Sequence, residues 1–85
     1  MKYRSRTDIV ADILDAASGY GANKTKIMYR AYLSFGQVKE YLSVLIASGL
    51  LERIEAVNVY RTTEKGKKFM RGYSHMDELI GPLQE

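Results

Sequence analysis

The most informative stretch is Lys24-Thr25-Lys26-Ile27-Met28-Tyr29-Arg30-Ala31-Tyr32-Leu33-Ser34-Phe35-Gly36-Gln37-Val38, read on to Ser48-Gly49-Leu50. Ser34 and Gln37 form an S-x-x-Q capping box, in which each side chain satisfies an orphan backbone N–H at a helix start. Leu33 and Val38 occupy the two positions of a hydrophobic staple around that cap. Val38, Leu42, Leu45 and Ile46 continue as one apolar stripe, so the helix should bury that face. It should stop at Ser48, because Gly49 stands where a left-handed residue is wanted and Leu50 can fold back on Leu45.

Upstream, Asn23 is a good cap for a short helix over Lys24 to about Ala31, with Ile27, Met28 and Ala31 spaced for burial. Only Tyr32 and Leu33 separate that helix from the Ser34 cap. Further back, Ile9, Val10, Ile13, Leu14 and Ala17 predict a first helix over about Thr7 to Ser18, with Asp8, Asp12 and Asp15 on its outer side. Gly19 and Gly21 break it. Downstream, Leu50 to Glu55 and Val59 to Thr62 suit two strands joined through Ala56-Val57-Asn58, a hairpin. Thr63 caps a fourth helix with Glu64 in its first turn, where the dipole favours a negative charge. Gly72 weakens this helix midway and Gly81-Pro82 ends it.

Composition narrows the function. The chain has 85 residues, enough for one small domain with a thin core. It contains no cysteine and one histidine, His75, which excludes disulfides, thiolate metal sites and cysteine nucleophiles. No stretch approaches the roughly eighteen apolar residues of a membrane span, and Asp8, Asp12 and Asp15 interrupt what would be a signal-peptide core. A soluble cytoplasmic protein is expected. The formal charge is only +3, but residues 1–76 hold all thirteen Lys and Arg against seven acidic groups, so the charge is polarised.

Three helices, a hairpin and a fourth helix make a mainly α chain with a small β element (α+β), in the order of a winged helix-turn-helix. The wing-bearing core would span residues 1–62 and the C-terminal helix residues 63–85. The chain resembles the small archaeal winged-helix proteins. The resemblance is carried by the Lys24–Gln37 segment, Gly49-Leu50-Leu51, and Tyr60-Arg61-Thr62-Thr63-Glu64-Lys65-Gly66. It runs from about Ser5 to Tyr73. It implies DNA binding, as a transcriptional regulator or nucleoid-associated factor, and dimerisation through the C-terminal helix. Two departures are visible: Gly36 stands where a larger side chain is expected, and the segment after Tyr73 is short.

In a helix-turn-helix the capped helix enters the major groove, N-terminal residues nearest the bases. Lys39 is the best candidate there, for guanine or phosphate. Gln37 could bond adenine and Phe35 a thymine methyl, unless Gln37 is held in its capping box and Phe35 is tucked into the core. Ser34 and Ser43 complete that face. Glu40 either reads cytosine or pairs with a neighbour. Lys24, Thr25, Lys26 and Arg30 are phosphate candidates at the second helix, whose N-terminus adds its dipole, against the alternative of a solvated basic face. Arg53, Asn58 and Arg61 are wing candidates, Asn58 being better suited to turn chemistry. Tyr29 and Tyr32 should be part-buried, with their hydroxyls at the surface. Lys65, Lys67, Lys68 and Arg71 read as solubilising charge, with Glu64 pairing Lys68.

Phe69, Tyr73, Met76 and Ile80 form a stripe that could pack on the first helix of the same chain or meet a second copy. The resemblance and the small surface of a monomer favour a homodimer. Catalysis is not expected: Ser74, His75 and Asp77 are too close in sequence to face one another, and His75, Asp77 and Glu78 lack metal-ligand spacing. No cofactor, metal or small-molecule ligand is implied. The partner expected is double-stranded DNA. The alternative is a winged-helix module that binds proteins of the transcription machinery without touching DNA.

Overall fold

Side-chain caps set the helix starts. In a computed structural model, which describes residues 4–80 and side chains from Arg4 to Tyr73, α1 runs Arg6–Ala16, α2 Lys24–Arg30 and α3 Phe35–Ala47. Strands β1 Leu51–Ile54 and β2 Val59–Thr62 follow, then α4 Glu64–Ile80. The Gly81-Pro82 stop lies outside the described residues. The element order is the one expected. The expected capping box at α3 is present: the Gln37 N–H donates to Ser34 Oγ at 3.2 Å, and the Ser34 N–H donates to Gln37 Oε1 at 2.9 Å. Asn23 Oδ1 accepts from the Lys26 N–H at 2.8 Å.

A second capping box starts α1, from Ser5 and Asp8. The S-x-x-D spacing signals it, and it moves the helix slightly earlier than the apolar pattern suggested.

Both helices of the helix-turn-helix end in the same way. After α3, Leu50 N–H reaches Leu45 O at 2.9 Å and Gly49 N–H reaches Ile46 O at 3.0 Å, with Gly49 at φ +79°. After α2, Leu33 N–H reaches Met28 O at 3.0 Å and Tyr32 N–H reaches Tyr29 O at 3.3 Å, with Tyr32 at φ 55°. These paired bonds form a Schellman motif at each end, whose left-handed residue is normally glycine. Tyrosine there costs about 1–2 kcal/mol of backbone strain.

The core collects Ile13, Leu14, Ala17, Ala22, Ile27, Ala31, Leu33, Val38, Leu42, Leu45 and Leu51, with Phe69 and Met70 of α4 packed against it. Ile46 is a correction. Its spacing places it in the buried stripe, yet it is exposed, because Val38, Leu42 and Leu45 already fill the inward face and Tyr41 covers the adjacent side.

The hairpin pairs Leu51 with Thr62 and Ile54 with Val59 in antiparallel register. A backbone bridge between Ala22 and Tyr60, with N···O distances of 2.8 and 2.9 Å, adds the loop before α2 to its edge.

Two threonines join these parts. Thr62 is 4% exposed; its hydroxyl donates to Leu14 O at 2.7 Å and its N–H to Ala17 O at 3.1 Å. The Thr63 hydroxyl donates to Gly49 O at 2.6 Å and accepts from the Gly66 N–H at 3.1 Å, so it caps α4 and ties it to the end of α3. Lys65 reaches back to Ser48 O at 2.7 Å. The expected Glu64–Lys68 pair is replaced by Glu64–Lys67 at 3.3 Å.

Packing at the start of α4 separates two glycines. A Cβ on Gly66 would lie 2.4 Å from Leu50 O and 2.6 Å from Thr62 Cγ2, whereas a Cβ on Gly72 would meet nothing within 4 Å. Gly72→Ala should stabilise the fold by about 0.5–1 kcal/mol through helix propensity. Gly66→Ala should destabilise it by about 1–3 kcal/mol despite the same propensity gain. Urea unfolding of the two variants measures both.

The α1–α4 contact carries a pH-dependent link. The Tyr73 hydroxyl donates to Asp8 Oδ1, and Ser5 N–H donates to Asp8 Oδ2 at 3.0 Å. The Tyr73 bond, then the Ser5 backbone bond, hold the Asp8 carboxyl below its ordinary value of 3.8. A carboxyl depressed on folding contributes its stability above the unfolded value and loses it as pH falls through the folded one. Asp8→Asn should therefore be less stable than the native chain at neutral pH, with the difference vanishing in acid below the ordinary carboxylate range. Urea midpoints across pH test this.

Candidate nucleic-acid interface

The α2–α3 unit presents its polar face to solvent. Along α2, Thr25, Lys26 and Arg30 are exposed and Lys24 half-buried, around the buried Ile27. Along α3, Ser34, Phe35, Gly36, Gln37, Lys39, Glu40 and Ser43 are all exposed, opposite Val38, Leu42 and Leu45. Gly36 and Ser43 keep that face low, so the helix backbone can approach a partner closely.

Phe35 is not in the core. It is 59% exposed, and the Lys24 Nζ stands 4.8 Å from its ring centroid. This cation–π contact brings the basic start of α2 alongside the start of α3, where sequence separation alone gave no link between them. Gln37 keeps its carbonyl in the capping box, so the bond that starts the helix fixes the side chain. Tyr29 and Tyr32 depart from expectation: they are 70% and 83% exposed, not part-buried. The left-handed turn swings Tyr32 outward, and Arg4 lies over its ring at 5.8 Å while bonding Tyr32 O at 3.4 Å and Asp12 at 2.9 Å.

The basic groups divide by whether they have acidic partners. Arg30 pairs with Asp15 at 2.9 Å, joining α2 to the acidic side of α1. On the hairpin, Arg61 binds Glu52 through Nε at 3.0 Å and Nη2 at 2.9 Å. Arg53 donates to Asn58 Oδ1 at 2.7 Å and lies over the Tyr60 ring at 6.0 Å. Asn58 itself sits at φ 54° in the turn, the turn role its residue type suggested. Lys24, Lys26 and Lys39 make no ion pair among the described residues. Exposed pairs such as Arg30–Asp15 are worth about 0–1 kcal/mol, so a phosphate can compete for the arginine.

This arrangement is two short helices joined by a tight turn, followed by a hairpin whose strands anchor to α1. The winged helix-turn-helix family profile matches residues 3–81. The chain is a winged helix-turn-helix protein. No curated protein matches it. Within the winged helix-turn-helix frame α3 occupies the position of the recognition helix and the β1–β2 hairpin that of the wing.

A shallow groove beside the winged helix-turn-helix surface runs between α1 and α3, lined by Arg6, Val10, Gln37, Glu40, Tyr41, Val44 and Leu45. Among the described residues no cluster of three or more His, Asp or Glu could hold a metal ion, and no helix is long and apolar enough to cross a membrane. His75, Asp77 and Glu78 have side chains outside the described residues.

The sequence reading missed Lys65, which it treated as solubilising charge but which caps the carboxyl end of the recognition helix. Its position beyond Gly49 in three dimensions was the missing information. Of the C-terminal stripe, Phe69 packs against the core and Tyr73 stacks on it at 6.5 Å between centroids, while bonding Asp8 of its own chain. The side chains of Met76 and Ile80 lie outside the described residues.

Proposed function

We propose that this protein binds double-stranded DNA as a homodimer, with α3 in the major groove, as a transcriptional regulator or nucleoid-associated factor in the cytoplasm. The observation that supports it most is the Lys24–Phe35 contact, because it sets unpaired basic groups of α2 next to the exposed first turn of α3. Lys24, Lys26 and Lys39 supply the first phosphate contacts, with Arg30 exchanging Asp15 for phosphate. Thr25, Ser34 and Ser43 add hydroxyls to that surface. Phe35 and the free end of Gln37 face the bases, where Phe35 suits a thymine methyl. Arg53, held by Asn58, and Arg61 belong to the wing. The C-terminal helix, residues 63–85, is the dimerisation element, with Phe69 and Tyr73 shared between the core and the seam and Met76 and Ile80 completing it. The role needs no catalysis, cofactor or metal.

Fluorescence anisotropy of labelled duplex DNA across salt tests the DNA reading. The slope of log affinity against log salt should be roughly 0.9 per phosphate neutralised, and Lys39→Ala should lower it by about that amount. Reversing Lys24, Lys26 and Arg30 to Glu should abolish binding while leaving the circular-dichroism spectrum unchanged. No measurable duplex binding by the native chain at low salt would instead support the protein-interaction reading, and binding that survives the reversal would overturn the assignment of Lys24, Lys26 and Arg30.

Light scattering at micromolar concentration tests the dimer. The expected mass is about twice the 9.7 kDa chain.

A further inference from the structure

Three aromatic rings stand on the surface where α2 turns into α3. Tyr29 in the last turn of α2, Tyr32 in the connection and Phe35 at the first position of α3 are 70%, 83% and 59% exposed. Among the described residues none of the three pairs with another ring. Core packing therefore does not account for them. The backbone also disfavours Tyr32, which holds φ 55° at a site where glycine would be relaxed. Strain of this kind, kept at a surface residue with no burial to offset it, marks a position held for another purpose.

The surroundings of the rings are cationic. Lys24 stands over Phe35 at 4.8 Å, and Lys26 lies three residues before Tyr29 on the same helical face. Arg4 is different: its two arms bind Asp12 and the Tyr32 carbonyl, so it positions the turn and its ring rather than offering a free charge. Exposed rings, with Arg4 and Lys24 each over only one face of Tyr32 and Phe35, beside ammonium groups that make no ion pair among the described residues, match the needs of an unpaired nucleotide, whose base stacks on a ring while its phosphate meets a cation. A duplex keeps its base faces stacked inside, so it cannot use these rings in that way.

We propose that the α2–α3 turn is a binding site for single-stranded nucleic acid, in which bases stack on Tyr29 and Tyr32 and phosphates meet Lys24 and Lys26. This goes beyond duplex recognition by α3: it shares Lys24 and Lys26 with the proposed duplex surface but calls on Tyr29 and Tyr32, which that recognition does not use. Stacking of one base on an aromatic ring is worth roughly five- to 150-fold in affinity.

The test compares labelled oligo-dT and oligo-rU of about 16 nucleotides with a duplex of the same length. Anisotropy is read for the native chain, for Tyr29→Leu, and for Tyr29→Leu combined with Tyr32→Gly. Leucine keeps apolar bulk but removes the π-face, and glycine relaxes the turn. The native chain should bind the single strands with quenching of tyrosine emission. The double variant should lose at least about tenfold in single-strand affinity, hold duplex affinity to within about twofold, and unfold at an equal or higher urea concentration. A purely structural role for Tyr32 predicts the opposite change in urea midpoint. The proposal is overturned if the native chain ignores both single strands, or if the leucine and glycine changes leave single-strand affinity intact. Failure of duplex binding with single-strand binding intact would overturn the proposed function alone.

Discussion

Two adjacent threonines hold this fold together. Thr62 gives its hydroxyl and its N–H to the end of α1, and Thr63 gives its hydroxyl and its N–H to the segment that closes α3. The hairpin and α4 are therefore fastened, within one dipeptide, to the two helices that frame the helix-turn-helix. Thr62 is buried, and its hydroxyl shares Leu14 O with the Ser18 hydroxyl at 2.9 Å, so losing it would remove one buried hydrogen bond, worth about 0.5–1.5 kcal/mol. Gly66 follows from the same constraint, because the first turn of α4 must lie directly on the Leu50 carbonyl.

Local grammar was the legible part. Ser34 with Gln37, Asn23, Gly49 and Thr63 are residues whose side chain or backbone freedom does one job at one position, and each does that job in the structure. Periodicity located the core stripes, apart from Ile46, because a helix pattern marks a face and not how far round it the neighbours reach. Side-chain destinations over long sequence separation were not legible. Lys65 on Ser48, Arg30 on Asp15 and Tyr73 on Asp8 span 15 to 65 residues. Nothing in the composition distinguishes them from solvated groups. Tyr32 shows the reverse: a glycine-like signal was absent, and the chain turns there regardless.

The electrostatic picture also changes with structure. Counting charges gave a basic region, yet Arg4, Arg30 and Arg61 each hold a carboxylate, two of them on α1. The basic character of the helix-turn-helix is left to three lysines. Lysine is a compact, strongly hydrated point charge without the planar fork of arginine. Such a surface suits phosphate contact at a distance more than bidentate reading of guanine.

The anchoring of α4 reaches beyond the stability of one chain. A helix of 17 residues is about 25 Å long, and its start here is bolted to the end of α3, directly after Thr62 ties β2 to the end of α1. Its heading is thereby fixed relative to the recognition helix. In a pair of chains joined along α4, that joint would act as a ruler: the distance between the two recognition helices would be set by Thr63, Lys65 and Gly66, which touch no base. Evolution of the preferred spacing between half-sites could then proceed at this joint while the reading surface stayed unchanged.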